Sequence, residues 1–145
     1  RAGSPELGVG RVGELAAAEP LAAFVRRVAA ALPATSGGVR VAGDPERPVR
    51  RVAVCGGAGD TFFGAVRAAG ADVYVTADLR HHPAAEALAA GGPALVDVAH
   101  WASEWPWLEH AAHTLRATLA AAGTNVDTYV STLVTDPWTA HVAAG

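Results

Sequence analysis

Residues 95–104 read L-V-D-V-A-H-W-A-S-E. Leu95, Val96 and Val98 form a short apolar run after the breaker Gly91-Gly92-Pro93, which predicts a buried strand. Ser103 can cap a helix, and Pro106 is tolerated in its first turn. The stretch therefore crosses a strand-to-helix junction. In open α/β sheets, ligands bind beyond such carboxyl ends. His100 and Glu104 fall at this junction, with His100 on the loop and Glu104 in the first helical turn. Imidazole nitrogen and carboxylate oxygen suit zinc, manganese or ferrous iron. Zinc takes three or four ligands, so an ordinary turn with a polar rim is the competing reading.

Upstream, alternating elements set the fold class. Arg51 to Cys55 reads as a buried strand, residues 72–76 as another and residues 94–98 as a third. Helical patterns separate them, one carrying Phe62, Phe63, Val66 and Ala69, the next covering residues 83–90. Strand–helix alternation predicts an α/β fold, a mainly parallel sheet flanked by helices with right-handed βαβ crossovers. The strand ends at Cys55, Thr76 and Val98 then share one edge. Before this core, Leu21, Phe24, Val25, Val28 and Leu32 predict a helix after Glu19, with Pro20 at its first position. Residues 39–41 predict a short strand. Residues 1–18 are rich in glycine and read as a connection or tail, leaving 19–145 as the α/β domain. After Ser103 the longest helix carries a stripe of Leu108, Ala112, Leu115 and Leu119. Residues 126–131 are expected to be a last strand.

Composition narrows the function. The chain has 145 residues, 51% of them hydrophobic, enough for one domain with a real core. Its net charge is −3 and all 11 basic residues are arginine, which gives no footprint for nucleic acid or an anionic membrane. One cysteine excludes an internal disulfide and fits a reducing cytoplasm. There is no run of about eighteen apolar residues. The sequence has no methionine, even at position 1, so a processed product or a piece of a longer chain is expected.

Other polar groups fall at the same sheet edge. Gly56, Gly57 and Gly59 can offer backbone N–H groups to an anion, or can serve a tight turn that needs glycine. Asp60 reads as a helix cap. Asp78, His81 and His82 lie in T-A-D-L-R-H-H-P, either as solvated loop or as pocket lining. Asp97, inside a strand, can orient a ligating imidazole or bond backbone N–H groups. Cys55 is either a nucleophile activated by nearby N–H groups or a small buried apolar residue. Trp101, Trp105 and Trp107 can form a stacking wall or a subunit interface. His110, His113 and His141 read as helix-surface or tail residues.

Three segments in order, R-V-A-V-C-G-G-A-G-D, G-A-D-V-Y-V-T-A-D-L-R-H-H and L-V-D-V-A-H-W-A-S-E, resemble the C-terminal half of the dinuclear-metal-centre hexameric proteins. These are also called Nif-three-like, and their bacterial members GTP cyclohydrolase type 2 homologs. G-V-G-R-V-G-E-L at residues 8–15 and T-D-P-W at 135–138 fit the same pattern, so the resemblance covers nearly the whole chain from Gly8. Ala77 and Ala99 stand where the family usually has glycine, and His81 where it has tyrosine. The resemblance implies two divalent metal ions (zinc, iron or manganese) per complete site, with ligands from both halves of a longer protein. His100 and Glu104 match the ligands contributed by this half, while Asp78 and His82 match a pocket-lining segment. It further implies a homo-oligomer, a toroidal hexamer. Two functions follow as expectations: a metal-dependent hydrolase acting on a nucleotide-like small molecule, or a non-catalytic metal-binding scaffold or regulatory partner. This chain alone is expected to bind metal weakly.

Overall fold

The structure, a computed structural model, describes residues 8–143. Its centre is three parallel strands, β3 (Pro48–Ala58), β4 (Val73–Ala77) and β5 (Ala94–Val98). Two antiparallel strands flank them: β1 (Gly10–Pro20) on β3 and β2 (Val39–Ala42) on β5. The order is β1-β3-β4-β5-β2, so the sheet is mixed, with the expected parallel core and an antiparallel strand on each edge. Every residue of β5 is buried, as a central strand covered on both faces requires.

The helices are α1 (Leu21–Ala31), α2 (Phe63–Ala68), α3 (His81–Ala89), α4 (His100–Glu104) and α5 (Pro106–Ala121). Helix α1 has the predicted stripe, and Pro20 sits just before it in extended conformation. Leu21 and Phe24 enter a core with Val49, Val73, Val96 and Val98 on one face of the sheet. On the other face, Tyr74, Val66, Leu95 and Cys55 pack together. Cys55 is thus the small buried apolar residue of the two readings, its thiol donating to the Gly56 carbonyl.

Four expectations need correction. Of the stretch read as a tail, residues 10–18 are edge strand β1, while residues 1–7 lie outside the described residues. The glycines there do not mark a loop. A Cβ on Gly10 would come within 2.7 Å of the Val54 carbonyl oxygen, so this glycine permits close strand approach. Residues 126–131 form no strand, because β2 already occupies the ladder edge of β5. Asp60 makes no capping bond; it opens a 3-10 turn (Asp60–Phe62) and pairs with Arg80. Finally, His100 is not on a loop and Ser103 is not a cap. Both lie within α4, whose N-cap position is Ala99. Helix α5 exists as predicted, yet Ala112 is its one fully buried residue and Leu115 remains half exposed.

Leu21 is fully buried where α1 meets the sheet. Leu21→Ala should cost about 2–5 kcal/mol, through lost burial and the cavity left behind. Denaturant unfolding of the 145-residue chain reads this directly; a loss below about 1 kcal/mol would mean α1 does not close the core.

Candidate functional site

The site forms where β3, β4 and β5 end together. Between Val54 and Ala58 the β3–β4 register shifts, because β3 carries extra residues there. This bulge is Cys55-Gly56-Gly57, and it pushes the chain toward α4. The Gly57 N–H donates to Ser103 Oγ at 2.8 Å, and Thr76 Oγ1 donates to the Gly57 carbonyl at 2.9 Å. Ser103 in turn donates to the His100 carbonyl at 2.7 Å, one turn back along α4. Tyr74 donates its hydroxyl to the Gly59 carbonyl at 3.0 Å, and burial pushes that phenol up to about 12.

The glycines of this loop serve close approach. Gly57 has φ +69°, and a Cβ there would lie 2.7 Å from Glu104 Oε1 and 3.1 Å from His100 Nε2. A Cβ on Gly59 would fall 2.1 Å from Thr76 Oγ1. The Gly57 and Gly59 N–H groups are committed, to Ser103 and to the Ala77 carbonyl. The possible anion loop at Gly56, Gly57 and Gly59 is therefore the wall of the His100–Glu104 site, with those two donors turned into the fold.

Three of the singled-out residues come together. His100 Nδ1 lies 2.6 Å from Asp78 Oδ2, and His100 Nε2 lies 3.4 Å from Glu104 Oε1. Asp78 follows β4 with φ 54°, a left-handed conformation that aspartate tolerates better than most residues. The Asp78 carboxylate raises the His100 pKa above 6.5; partial burial opposes this, and the Glu104 charge adds to it.

The other candidates answer to other partners. Asp97 is buried and accepts from Arg40, its partner across the β2–β5 ladder, and from the Leu79 N–H at 3.0 Å. It also lines the cavity beside His100, while Asp78 is the group that engages the imidazole. His82 is exposed at the start of α3, its ring edge-to-face with His81 at 5.2 Å. It does not line the cavity around His100. Trp101 and Trp105 are neighbours with ring centroids 6.3 Å apart, while Trp107 is largely exposed.

A cavity of about 810 Å³ opens beside His100 and Glu104. Its walls include Arg40, read from the sequence only as part of a short strand, and Asp136, Trp138 and His141, read only as tail. The T-D-P-W run was the visible signal for two of them.

Two measurements check this geometry. The His100 imidazole should titrate above 6.5 in the metal-free protein, and Asp78→Asn should lower that value; an NMR pH titration with no change between the two would break the pairing. The sign for folding follows from a raised pKa. The stabilisation is complete below about pH 6.5 and is lost as pH rises through the folded value. Gly57→Ala should displace Glu104 and destabilise the chain, seen as a lowered melting temperature and altered His100 shifts.

Known proteins share this sequence and fold. The profile of Duf34/NIF3 (NGG1p interacting factor 3) matches residues 3–137. A Streptomyces coelicolor protein named GTP cyclohydrolase 1 type 2 homolog is 54% identical over 94% of this chain and 48% of its own length. The Mycobacterium tuberculosis protein of the same name is 56% identical over 90% of this chain and 34% of its own. Among solved structures, a Bacillus cereus protein related to NIF3 superposes with TM-score 0.82 at 34% identity, over 90% of this chain and 35% of that one. The chain spans between a third and a half of the curated relatives' length. It belongs to the Duf34/NIF3 family.

Proposed function

We propose that this chain contributes His100 and Glu104 to a divalent-metal centre, in a longer protein that hydrolyses a nucleotide-like small molecule. The observation that carries this is the disposition of His100. Its Nδ1 is engaged by Asp78, which leaves Nε2 facing Glu104 Oε1 at 3.4 Å. A carboxylate behind a ligating imidazole fixes its tautomer and raises its basicity. Metal–ligand bonds of about 2.0–2.2 Å in a tetrahedral site set neighbouring donors about 3.4 Å apart, so the pair fits one ion. Gly57 keeps the space between the two donors and β3 open, since a methyl there would press on both.

A bound divalent ion supplies Lewis acidity and lowers the pKa of a bound water. The residues of this chain supply orientation: Asp78 sets the imidazole, Ser103 ties α4 to the β3 bulge, and Glu104 adds a hard oxygen donor. The shared name of the relatives, GTP cyclohydrolase 1 type 2 homolog, supports a ring-opening hydrolysis as the reaction class. A second reading is a metal-binding scaffold or regulatory partner without turnover. It is favoured by the donor count, because among the described residues no three or more His, Cys, Asp or Glu side chains form a metal-holding group. Either way the remaining ligands, and a second ion, come from the rest of the longer protein, with a homohexamer as the proposed assembly. Among the described residues no helix is long and apolar enough to cross a membrane.

His100→Ala or Glu104→Ala in the full-length protein should strip most of its metal while leaving the far-UV spectrum unchanged. Retention of two ions per chain in either variant, measured by elemental analysis, would refute the assignment. The isolated 145-residue chain should bind divalent metal weakly in a calorimetric titration. Turnover of GTP by the full-length protein, abolished by chelation and restored by metal, separates the hydrolase from the scaffold.

A further inference from the structure

The cavity beside His100 has a second wall that the metal reading does not use. After α5, residues 124–143 form a strap with no helix and no ladder partner among the described residues. The strap is fastened along its course. The Trp105 indole N–H donates to the Ser131 carbonyl at 2.8 Å, and Ser36 Oγ donates to the Trp138 carbonyl. The Trp138 N–H donates to Asp136 Oδ1 at 2.9 Å. Both backbone polar groups of Trp138 therefore have partners, one within the segment and one on Ser36, and the residue is 73% exposed. Trp138 lines the cavity, and Trp101, beside His100 in sequence, lines it too.

Within this chain an indole so exposed adds little to the core. A ring carried on a fastened main chain is, however, already ordered for binding, and loses less freedom when a ligand arrives. The cavity volume of about 810 Å³ lies within the usual range for small-molecule sites. Carboxylates dominate the side chains around it, so recognition of phosphate would fall to the bound metal. Asp78, Asp97, Glu104 and Asp136 line it, and the guanidinium of Arg40 is already engaged by Asp97. Recognition through a flat ring face remains, and indoles serve that well.

We infer that Trp138 is a stacking platform for a planar heteroaromatic ring of nucleobase type, held beside His100 and Glu104. The inference rests on the proposed metal centre only in naming the reacting end of that ligand. The strap thereby makes residues outside the sheet part of the specificity of the site.

The test uses the metal-loaded full-length protein and two probes that share a sugar and a phosphate, GMP and ribose 5-phosphate, titrated calorimetrically. The wild type should bind GMP at least about ten-fold more tightly than ribose 5-phosphate, as stacking on an aromatic ring provides. Trp138→Ala should remove most of that advantage, and Trp138→Phe should keep it. Metal content should be the same in all three proteins. Equal affinity of the wild type for the two probes would overturn the platform. So would a Trp138→Ala protein that binds GMP as the wild type does, including one that changes oligomeric size, which would make the indole a subunit contact. A wild type that holds no metal but whose GMP affinity still depends on Trp138 would sink the metal centre and uphold the platform.

Discussion

The meeting of the β3 bulge with α4 is the constraint on which the site depends. The β3 backbone at Gly57 comes so close to the side chains of α4 that a Cβ there would clash with Glu104 Oε1 and press on His100 Nε2. Three hydroxyl groups, from Ser103, Thr76 and Tyr74, hold the bulge in place. Each satisfies a backbone group that leaves the regular ladder where the register shifts, and buried backbone groups left without partners are costly. The same bonds fix how far α4 stands from the sheet. The position of the imidazole is thus a property of the fold's hydrogen-bond accounting, and not of a flexible loop.

Electrostatics add a second layer. Asp97 and Asp78 are both near the carboxyl ends of the central strands, but they answer to different partners. Asp97 is neutralised by Arg40 across the ladder and also receives the Leu79 N–H. It therefore steadies the turn that leads out of β4, the turn in which Asp78 sits. Asp78 is left to engage His100, while Glu104 remains exposed on the same helix. One carboxylate builds the support, one orients the imidazole, and the third stays exposed beside its Nε2.

The parallel centre and the junction at His100 were legible in the sequence because periodicity and breakers act locally. Leu95, Val96 and Val98 between a glycine–proline break and a helix start admit few other readings. The edges were not legible in the same way. Strand β1 contains glycines that look like loop, and their meaning depends on Val54, a residue more than forty positions away. Residues 126–131 have strand-like composition, but β2 had already taken the position beside β5. At the site, His100 and Glu104 drew attention by their spacing and by the family resemblance, whereas the pairing of His100 with Asp78, a residue with φ 54°, is announced by no pattern. Gly57 was noticed for its N–H group, while its importance lies in its missing side chain.

The pairing of β2 with β5 also bears on how the chain reaches this state. Arg40 and Asp97 are 57 residues apart, while β3, β4 and β5 are joined through short helical crossovers. Closing the longer loop costs more entropy before any contact rewards it. The parallel centre, with its bulge and the start of α4, can therefore assemble while β2 is still unplaced. The buried carboxylate of Asp97 gains its guanidinium only when β2 pairs with β5, so that ladder settles the charge beneath the site.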